Sequence, residues 1–296
     1  MDKENTPVEL TNYLVQGFRR STKSRVQSRF KKSTHQLGKG TFGTVYLGVD
    51  QQTKKRVALK IDHSSRSQKS TQSEVRALRR ACGLEDVIQF IDHYEEDGKS
   101  VIVTHVAPGC EVFDAVGSGV SEAEAREIFE PMLHAVTTLH KANITWRDIK
   151  LENCMWCSKT KKITLIDLGL SAVDTEIFDI AVGSVSYMGP EVIDCLCTGR
   201  PYRGVAADLW ALGVCLFAMI TGFFPAMRAD VSSAPVVAMA AAQEQAMSGM
   251  HALFKLYGRS CKFSPELVQL LDQMLQINPD KRASGDDLKA APWFKL

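Results

Sequence analysis

The chain has 296 residues, of which 45% are hydrophobic and 24% are charged, with 20 glycines and 10 prolines. These proportions lie near the average for soluble globular proteins and exclude collagen-like, mucin-like and wholly disordered chains. The length is sufficient for two domains or for one large two-lobed fold with a substantial core.

Charge is distributed unevenly along the chain. The formal net charge is +2, but residues 10–49 contain eight Lys or Arg and no Asp or Glu. The remaining residues carry 28 basic and 34 acidic side chains, a net charge of −6. A basic segment therefore lies next to a mildly acidic body. Such a run is usually a solvated surface, and contact with an acidic partner, anionic lipid or nucleic acid is the alternative.

The N-terminal sequence and the cysteines predict the cellular setting. MDKENTPVEL has two acids among its first four residues, unlike a signal peptide or an Arg-rich transit peptide. Eight cysteines are too sparse for a disulfide scaffold. The pairs Cys154/Cys157 and Cys195/Cys197 lie too far apart in sequence to favour a structural zinc site. We predict reduced cysteines and a cytoplasmic protein with access to the nucleus.

The first part of the chain is predicted to be rich in β-structure. Residues 1–33 show no clear period and read as a basic extension, helical near residues 13–18. About five short strands follow, since apolar residues alternate with period two and turn residues separate the runs. The clearest strands are residues 45–49, 55–61, 87–94 and 100–106. Between the second and third of these we predict a polar loop at residues 64–72 and a helix with Val75, Leu78 and Cys82 on one face.

The second part is predicted to be mainly helical. Ser121 and Glu124 form the pattern of a capping box. Apolar residues then recur with a period of 3.6, at Ile128, Met132, Leu133, Val136 and Leu139. Further helices are predicted at residues 208–221 and 265–275. The fold class is therefore α+β, with a small β-rich lobe followed by a larger helical lobe.

One uncharged run has the composition of a membrane span. Residues 209–227 contain no charged side chain and approach the roughly 20 residues that cross a bilayer. Asp208 opens the run, Gly213, Gly222 and Pro225 interrupt it, and no flanking basic cluster sets an orientation. We therefore predict a buried core helix and no transmembrane segment.

A glycine-rich turn precedes the first clear strand. Residues 38–45, GKGTFGTV, match the pattern G-x-G-x-x-G-x-V. Glycines let backbone N–H groups approach phosphate oxygens closely. A dinucleotide-binding turn has similar spacing but leads from a strand into a helix, whereas this turn leads into a strand. Lys60 ends the following strand, where its ammonium would hold phosphates if Glu74 anchored it.

The densest set of chemical groups is the segment WRDIKLEN, residues 146–153, with Asp167-Leu168-Gly169 after it. Phosphoryl transfer needs a carboxylate near the attacking hydroxyl, a cation near the transferred group and oxygen ligands for Mg²⁺. Asp148, Lys150, Asn153 and Asp167 supply these groups. The intervening sequence KKITLI predicts a strand that returns Asp167 to the side of Asn153.

This ordered series of motifs resembles a eukaryotic protein kinase of the serine/threonine class over residues 35–294. The resemblance implies the bilobal protein-kinase fold, with an N-lobe at residues 34–106 and a C-lobe at residues 107–296. Residues 1–33 form the basic extension ahead of it. The resemblance also implies the cofactors ATP and Mg²⁺, protein substrates with Ser or Thr acceptors, and a monomer.

The resemblance assigns roles to the catalytic residues. Asp148 would orient the substrate hydroxyl and accept its proton, and Lys150 would steady the γ-phosphate. Asn153 and Asp167 would hold Mg²⁺. Lys60 would bind the α- and β-phosphates and complete the catalytic set.

The implied nucleotide site is larger. Thr104 falls at the gatekeeper position, and the hinge that follows it would read adenine with its backbone. Glu111 would lie near the ribose. The residues implied in nucleotide binding are Leu37, Gly38, Lys39, Gly40, Gly43, Val45, Ala58, Lys60, Glu74, Thr104, His105, Val106, Glu111, Met155 and Asp167.

Other matches are structural. Gly189-Pro190-Glu191 resembles the motif that closes the activation segment, and Arg282 resembles the arginine that pairs with this glutamate. Four residues depart from the family pattern. These are Trp146 for His, Leu168 for Phe, Gly189 for Ala and Ser184 for Thr. None removes a phosphate, metal or proton-handling group, so an active enzyme is favoured. The alternative is a pseudokinase scaffold that binds nucleotide and a partner protein.

The peptide preference follows from acids near the predicted cleft. Lys150 and Ser184 match residues that are typical of the serine/threonine class. Glu111 and Glu152 match positions that meet basic residues upstream of the acceptor, and carboxylates there attract cations. Ala218 replaces a further acid of strongly basophilic members. The other interpretation is that both glutamates are only solvated or bound to ribose.

Two hypotheses concern regulation. Arg147 precedes the catalytic aspartate, which in this family often accompanies activation-loop phosphorylation. Thr175 is the leading acceptor, followed by Ser171 and Ser184. Nearby acids could instead supply constitutive negative charge, namely Asp174, Glu176 and Asp179. The basic extension holds further candidate acceptors for self-phosphorylation, namely Ser21, Thr22, Ser24 and Ser28.

Overall fold

The computed structural model describes residues 29–63 and 67–296 of the chain. The predicted helix near residues 13–18 and the candidate acceptors of the basic extension lie outside these residues. Two compact units are distinguished: one runs to Ser64 and includes Asp92–Val103, and the other comprises Ser65–Ile91 and Thr104–Leu296. The predicted lobe boundaries stay predictions.

A five-stranded sheet dominates the first unit. Its strands are β1 (Phe30–Lys39), β2 (Gly43–Asp50), β3 (Arg56–Asp62), β4 (Phe90–Glu96) and β5 (Lys99–His105). Their order is β1-β2-β3-β5-β4. The predicted strands are confirmed, because β-branched residues separated by tight turns favour antiparallel hairpins.

Helices make up most of the second unit. They are α1 (Gln68–Arg80), α2 (Val112–Val116), α3 (Glu122–Lys141), α4 (Pro190–Thr198), α5 (Gly204–Thr221), α6 (Ala234–Glu244), α7 (Gly249–Leu256), α8 (Pro265–Met274) and α9 (Gly285–Lys289). Short strands lie between them: β6 (Cys110–Glu111), β7 (Ile144–Thr145), β8 (Cys154–Cys157), β9 (Lys162–Leu165), β10 (Ala172–Val173), β11 (Ile177–Phe178) and β12 (Tyr202–Arg203).

The capping box and the buried face of α3 are confirmed. The side chain of Ser121 accepts from the Glu124 N–H, and the Glu124 carboxylate accepts from the Ser121 N–H. All five residues of the predicted apolar stripe are at most 5% exposed. This helix therefore forms as its sequence predicts, with local capping and core burial favouring the same segment.

The predicted loop at residues 64–72 is wrong in its second half. Helix α1 begins at Gln68, because the side chain of Ser67 caps it by accepting from the Ser70 N–H. Val75 and Leu78 are buried as predicted. Cys82 is exposed, since it follows the C-cap residue Ala81 and no longer lies on the helix face.

The uncharged run forms the core helix α5. This helix is long and apolar enough to cross a membrane, and 78% of it is buried inside the protein. Such burial is expected of the central helix of a large core. All eight cysteines lie in the described residues as free thiols.

A partly buried ion pair stabilises the first unit. Arg29 Nη2 donates to Asp50 Oδ2 at 2.9 Å, and Arg29 Nε donates to Oδ1 at 3.3 Å. The Asp50 side chain is 3% exposed and also accepts from the Gln52 N–H at 2.9 Å. These contacts lower the pKa of Asp50 to about 2. Its charge is therefore compensated at one end of β2.

We expect D50N to lower the free energy of unfolding at neutral pH by about 1–3 kcal/mol, because it leaves Arg29 without its ionised partner. Since folding lowers the pKa of Asp50, its contribution is complete above pH 4 and is lost as the pH falls towards about 2. Denaturant unfolding from pH 7 to pH 2.5 measures this difference.

The control is D286N, which removes an acid from an exposed pair with Lys141. We expect it to leave the free energy of unfolding nearly unchanged, because solvent screens an exposed pair. A difference between wild type and D50N that stays constant down to pH 2.5 contradicts the assignment to Asp50 ionisation.

Candidate active site

The glycine-rich turn connects β1 to β2 in the first unit. The Gly40 N–H donates to the Gly43 carbonyl at 2.9 Å, which closes the turn. A Cβ atom at Gly38 or Gly40 would meet nothing within 4 Å, so these positions leave open space beside the backbone. A Cβ at Gly43 would lie 2.6 Å from the Ile61 carbonyl oxygen. Gly43 is therefore required by the close approach of β3.

Strand pairing places three predicted nucleotide contacts on one face of the sheet. Val45 pairs with Lys60, and Leu47 pairs with Ala58. Because side chains alternate along a strand, Val45, Ala58 and Lys60 share a face. Lys39 pairs with Thr44 at the turn, and Leu37 is 40% exposed.

The predicted hinge lies in the second unit beside β6 and β8. Thr104 Oγ1 donates to the His105 carbonyl at 3.1 Å. The His105 N–H donates to the Gln89 carbonyl at 3.0 Å. Glu111 pairs with Met155 across the two strands. Val106 is half-buried next to the exposed His105.

The predicted catalytic groups of the second unit converge on Asp148. Lys150 Nζ lies 3.0 Å from Asp148 Oδ2, and Ser184 Oγ donates to Asp148 Oδ1 at 3.0 Å. Lys150 Nζ also donates to Ser184 Oγ at 3.1 Å. Asn153 Nδ2 donates to the carbonyl and to Oδ2 of Asp148, both at 2.9 Å. The carboxylate thus lies between a cation and a hydroxyl and is held in a fixed orientation.

Asp167 lies beside this cluster because β9 returns along β8. The Ile166 N–H donates to the Asn153 carbonyl at 2.9 Å, which confirms the predicted return of this strand. Asp167 Oδ1 accepts from the Gly169 N–H at 3.0 Å. Its backbone is left-handed, with φ +58°. Among the predicted catalytic residues, the structure therefore gathers Asp148, Lys150, Asn153 and Asp167.

The donor atoms fit a magnesium ion. Since Asn153 uses its amide nitrogen for hydrogen bonds, its oxygen remains available to accept, and Asp167 supplies carboxylate oxygen. Mg²⁺ prefers such oxygen ligands and completes its shell with water and phosphate oxygens. Across residues 29–63 and 67–296 the structure gathers no group of three His, Cys, Asp or Glu suited to a metal held by protein alone.

Trp146 supports Asp167 directly. Its side chain is fully buried, and its indole Nε1–H donates to the Asp167 carbonyl at 2.9 Å. The substitution for the usual histidine therefore keeps a donor at the start of the Asp-Leu-Gly segment. An indole N–H is a permanent donor that does not titrate.

Asp208 on α5 anchors the catalytic loop through hydrogen bonds to its backbone. Its carboxylate accepts from the backbone N–H groups of Trp146 and Arg147, both at 2.8 Å. His140 Nε2 lies 2.9 Å from Asp208 Oδ2. Arg147 is held at φ +68°, a left-handed conformation that few non-glycine residues adopt. The loop geometry thus depends on one buried acid.

The segment that closes with Gly189-Pro190-Glu191 is fixed by a buried ion pair. Arg282 Nη1 donates to Glu191 Oε1 at 2.6 Å, and Nη2 donates to Oε2 at 3.2 Å. The Arg282 side chain is 0% exposed, and that of Glu191 is 9% exposed. The predicted structural pair is present in the fold.

Two acidic side chains of the second unit, Glu111 and Glu152, lie near each other. Tyr187 donates its hydroxyl to Glu152 Oε2 at 3.0 Å. Burial raises the pKa of Glu111, and the negative charges of Asp114 and Glu152 raise it further. Glu111 and Glu152 therefore lie close enough to interact, with Lys150 as the opposing charge.

Sequence reasoning missed Tyr187 and Tyr202. Tyr202 receives a hydrogen bond from Arg147 Nε at 3.4 Å. Neither tyrosine lies within ten residues of its partner, so local spacing carries no signal for these contacts. The only sequence signal for these contacts is that Tyr187 lies next to Gly-Pro-Glu and Tyr202 lies next to the start of α5.

The protein kinase domain family matches residues 31–294 of the chain. The chain belongs to this family. The match confirms the predicted family and the α+β kinase fold, with a β-rich unit and a helical unit. The roles of the individual site residues stay predictions.

Several curated relatives are similar to this kinase. One is CBL-interacting serine/threonine-protein kinase 12 of Arabidopsis thaliana, 28% identical over 88% of this chain and 51% of the relative. Another is probable serine/threonine-protein kinase MARK-C of Dictyostelium discoideum, 29% identical over 88% of this chain and 32% of the relative. Myosin light chain kinase A of the same organism is 29% identical over 88% and 86% respectively.

The relatives support the serine/threonine class of the kinase. The chain spans about half the length of the first of them, a fraction of 51%. The resemblance therefore concerns the kinase domain, and the activities of the longer relatives are not transferred with it.

We expect W146F to lower kcat about tenfold and to raise the Mg²⁺ concentration needed for half-maximal rate. The reason is that a buried carbonyl left without its donor costs about 1–3 kcal/mol. W146H should recover much of the rate if its neutral imidazole donates a hydrogen bond to the Asp167 carbonyl. Steady-state kinetics with a magnesium titration measures both effects.

The matched control is W293F. Trp293 is also fully buried and donates its indole N–H, to Glu122 Oε2 at 3.2 Å. We expect W293F to cost stability but to leave the magnesium dependence unchanged. An equal magnesium shift in W146F and W293F would show that packing, and not the bond to Asp167, is responsible.

Proposed function

We propose that this chain is a serine/threonine protein kinase that transfers the γ-phosphate of ATP to protein hydroxyls. The observation that carries the proposal is the contact of Asp148 with both Lys150 and Ser184. Ser184 presents a hydroxyl to the carboxylate, as an acceptor side chain would. The Asp148 side chain is 11% exposed, so part of the carboxylate is accessible while its contacts hold it in position.

The chain's own groups divide the reaction among them. Asp148 orients the acceptor hydroxyl and takes its proton as the phosphoryl group is transferred. Lys150 places a positive charge beside that carboxylate, where it offsets charge on the transferred group. Asn153 and Asp167 would hold Mg²⁺, which would supply positive charge against the negative charge that develops on the phosphates.

The first unit supplies the phosphate contacts in this proposal. Gly38 and Gly40 leave open space beside the backbone, so a phosphate group can approach the turn closely. Lys60 shares a sheet face with Val45 and Ala58, which suits a nucleobase packed against the two apolar side chains and phosphates at the lysine. The implied cofactors are therefore ATP and Mg²⁺.

We also propose a preference for basic peptides. Glu152 is held by the Tyr187 hydroxyl at 3.0 Å, and Glu111 interacts with it electrostatically. Two neighbouring carboxylates attract an arginine or lysine side chain more strongly than either carboxylate would alone.

We expect D148N to reduce phosphate transfer by about 10²- to 10⁴-fold, because an amide cannot accept the proton of the acceptor hydroxyl. The assay follows γ-phosphate transfer from ATP to a mixed basic peptide library. D286N, an Asp-to-Asn change at an exposed pair, should retain the wild-type rate.

The same assay separates the enzyme from the pseudokinase scaffold. Transfer that is absent from the wild type while nucleotide still binds would support the scaffold. Transfer that is equal in wild type and D148N would remove Asp148 from the mechanism. Nucleotide binding by D148N with lost transfer supports the enzyme.

We expect E152Q to raise KM about 3- to 10-fold for a peptide with upstream arginines, since one of two facing acids is lost. The KM for a neutral peptide of the same acceptor should change little. E127Q is the control, because Glu127 pairs with Lys161 on an exposed surface. Equal changes for both peptides would contradict a role in recognition.

The preference should also depend on pH. Because burial raises the pKa of Glu111, its carboxylate loses charge at a higher pH than an ordinary glutamate. We expect the arginine preference to shrink as the pH falls from 7.5 to about 5.5, and to shrink less in E111Q. Paired KM measurements for basic and neutral peptides across this range test it.

A further inference from the structure

The acid Asp174 connects the activation segment to helix α1. Arg80 Nη2 donates to both of its carboxylate oxygens, at 2.8 and 3.1 Å. Arg76 Nη2 donates to Asp174 Oδ2 at 3.0 Å. Because Arg76 and Arg80 are one helical turn apart, they lie on the same face of α1. One carboxylate thus holds two arginines of the helix.

The backbone fixes Asp174 at the base of the catalytic loop. Strand β10 pairs with β7, with Ala172 opposite Thr145 and Val173 opposite Ile144. The Asp174 N–H donates to the Asn143 carbonyl at 2.9 Å. Asp174 adopts a left-handed backbone conformation, with φ +57°. The carboxylate is therefore tied to the segment that leads into Trp146.

Helix α1 carries the residue that gives this contact a function. Glu74 lies on α1 and is 2% exposed. By the family resemblance it is the partner of Lys60. A contact that fixes α1 against β10 therefore limits where Glu74 can lie.

The arginines that a loop phosphate would bind already have partners. Arg147 Nη2 donates to the Ile180 carbonyl at 2.7 Å, and its guanidinium lies 4.1 Å from the centre of the Phe178 ring. Arg76 and Arg80 are bound by Asp174. Thr175 is exposed, and its hydroxyl donates to the Val173 carbonyl at 3.4 Å. A phosphate on Thr175 would therefore compete with an existing carboxylate.

We infer that Asp174 is a positioning residue of the kinase, whose fixed negative charge holds α1 and Glu74 in place without phosphorylation of Thr175. The inference rests on the proposed function for its effect on activity. It gives one of the acids around Thr175 the role of a constitutive charge. All three acids are exposed, and Asp174 is the one whose carboxylate contacts the arginines of α1.

The size of the effect follows from exposure. The side chains of Arg76, Arg80 and Asp174 are 64%, 42% and 43% exposed. Pairs this exposed shift an equilibrium by at most about fivefold each at low salt. Added salt screens them further. The contact therefore adjusts the position of α1 and does not act as an all-or-none switch.

The test substitution is D174N. Asparagine adopts left-handed backbone as readily as aspartate, so the change removes charge without adding strain. We expect kcat/KM for ATP to fall about 3- to 20-fold at low salt, with the KM for peptide unchanged. The difference from wild type should shrink as salt is added. E176Q, a charge change one residue beyond Thr175, should match wild type.

A mutant cycle shows whether the arginines mediate the effect. R76Q/R80Q should lower activity as D174N does, and the triple variant should be no worse than either. Losses that multiply in the triple variant would overturn the contact as the cause. Phosphatase treatment of the wild type should leave its rate unchanged, and a loss on treatment would overturn independence from phosphorylation.

Hydrogen exchange tests the contact without relying on activity. We expect the amides of residues 68–80 to exchange faster in D174N than in wild type, and those of E176Q to match wild type. Unchanged exchange in D174N overturns the inference even if activity falls. A wild type that transfers no phosphate but shows the expected exchange keeps the contact and removes the proposed function.

Discussion

The geometry of the catalytic loop depends on a buried carboxylate that takes no part in the chemistry. Asp208 is 2% exposed and accepts from two successive backbone N–H groups. Two donors and a histidine together satisfy a charge that would otherwise be costly in the interior. In return, the loop is held in a conformation with Arg147 at φ +68°. This places Asp148, the following residue, beside Lys150, Asn153 and Ser184.

The site built on this anchor combines rigid and adjustable parts. Asn153, Lys150 and Ser184 fix the Asp148 carboxylate through direct bonds, and Trp146 fixes Asp167 through its indole. These groups come from segments that short strands and buried side chains hold in place. The contact of α1 with the activation segment is different, because it is exposed and electrostatic. Packing and direct hydrogen bonds therefore set the positions of the side chains around Asp148. Charge adjusts the position of α1 relative to the activation segment.

The motifs and the periodic helices could be predicted from sequence because their signals are local. The capping box at Ser121 and the apolar face of α3 depend on neighbours within a few residues. The start of α1 was less predictable, since its first turn is polar and the N-cap residue Ser67 is the only sequence signal for where the helix begins. The bonds of Tyr187 to Glu152 and of Asp174 to α1 join residues far apart in sequence. No spacing rule encodes such pairs, because only the folded chain brings them together.

The buried pair of Glu191 and Arg282 has a consequence for the order of folding during synthesis. The two residues are separated by 91 positions. Until Arg282 has left the ribosome, Glu191 has no cation to offset its charge, and burying it alone is unfavourable. The end of the activation segment and the start of α4 therefore reach their final packing late. The catalytic loop depends instead on Asp208 of α5, which is synthesised well before Arg282.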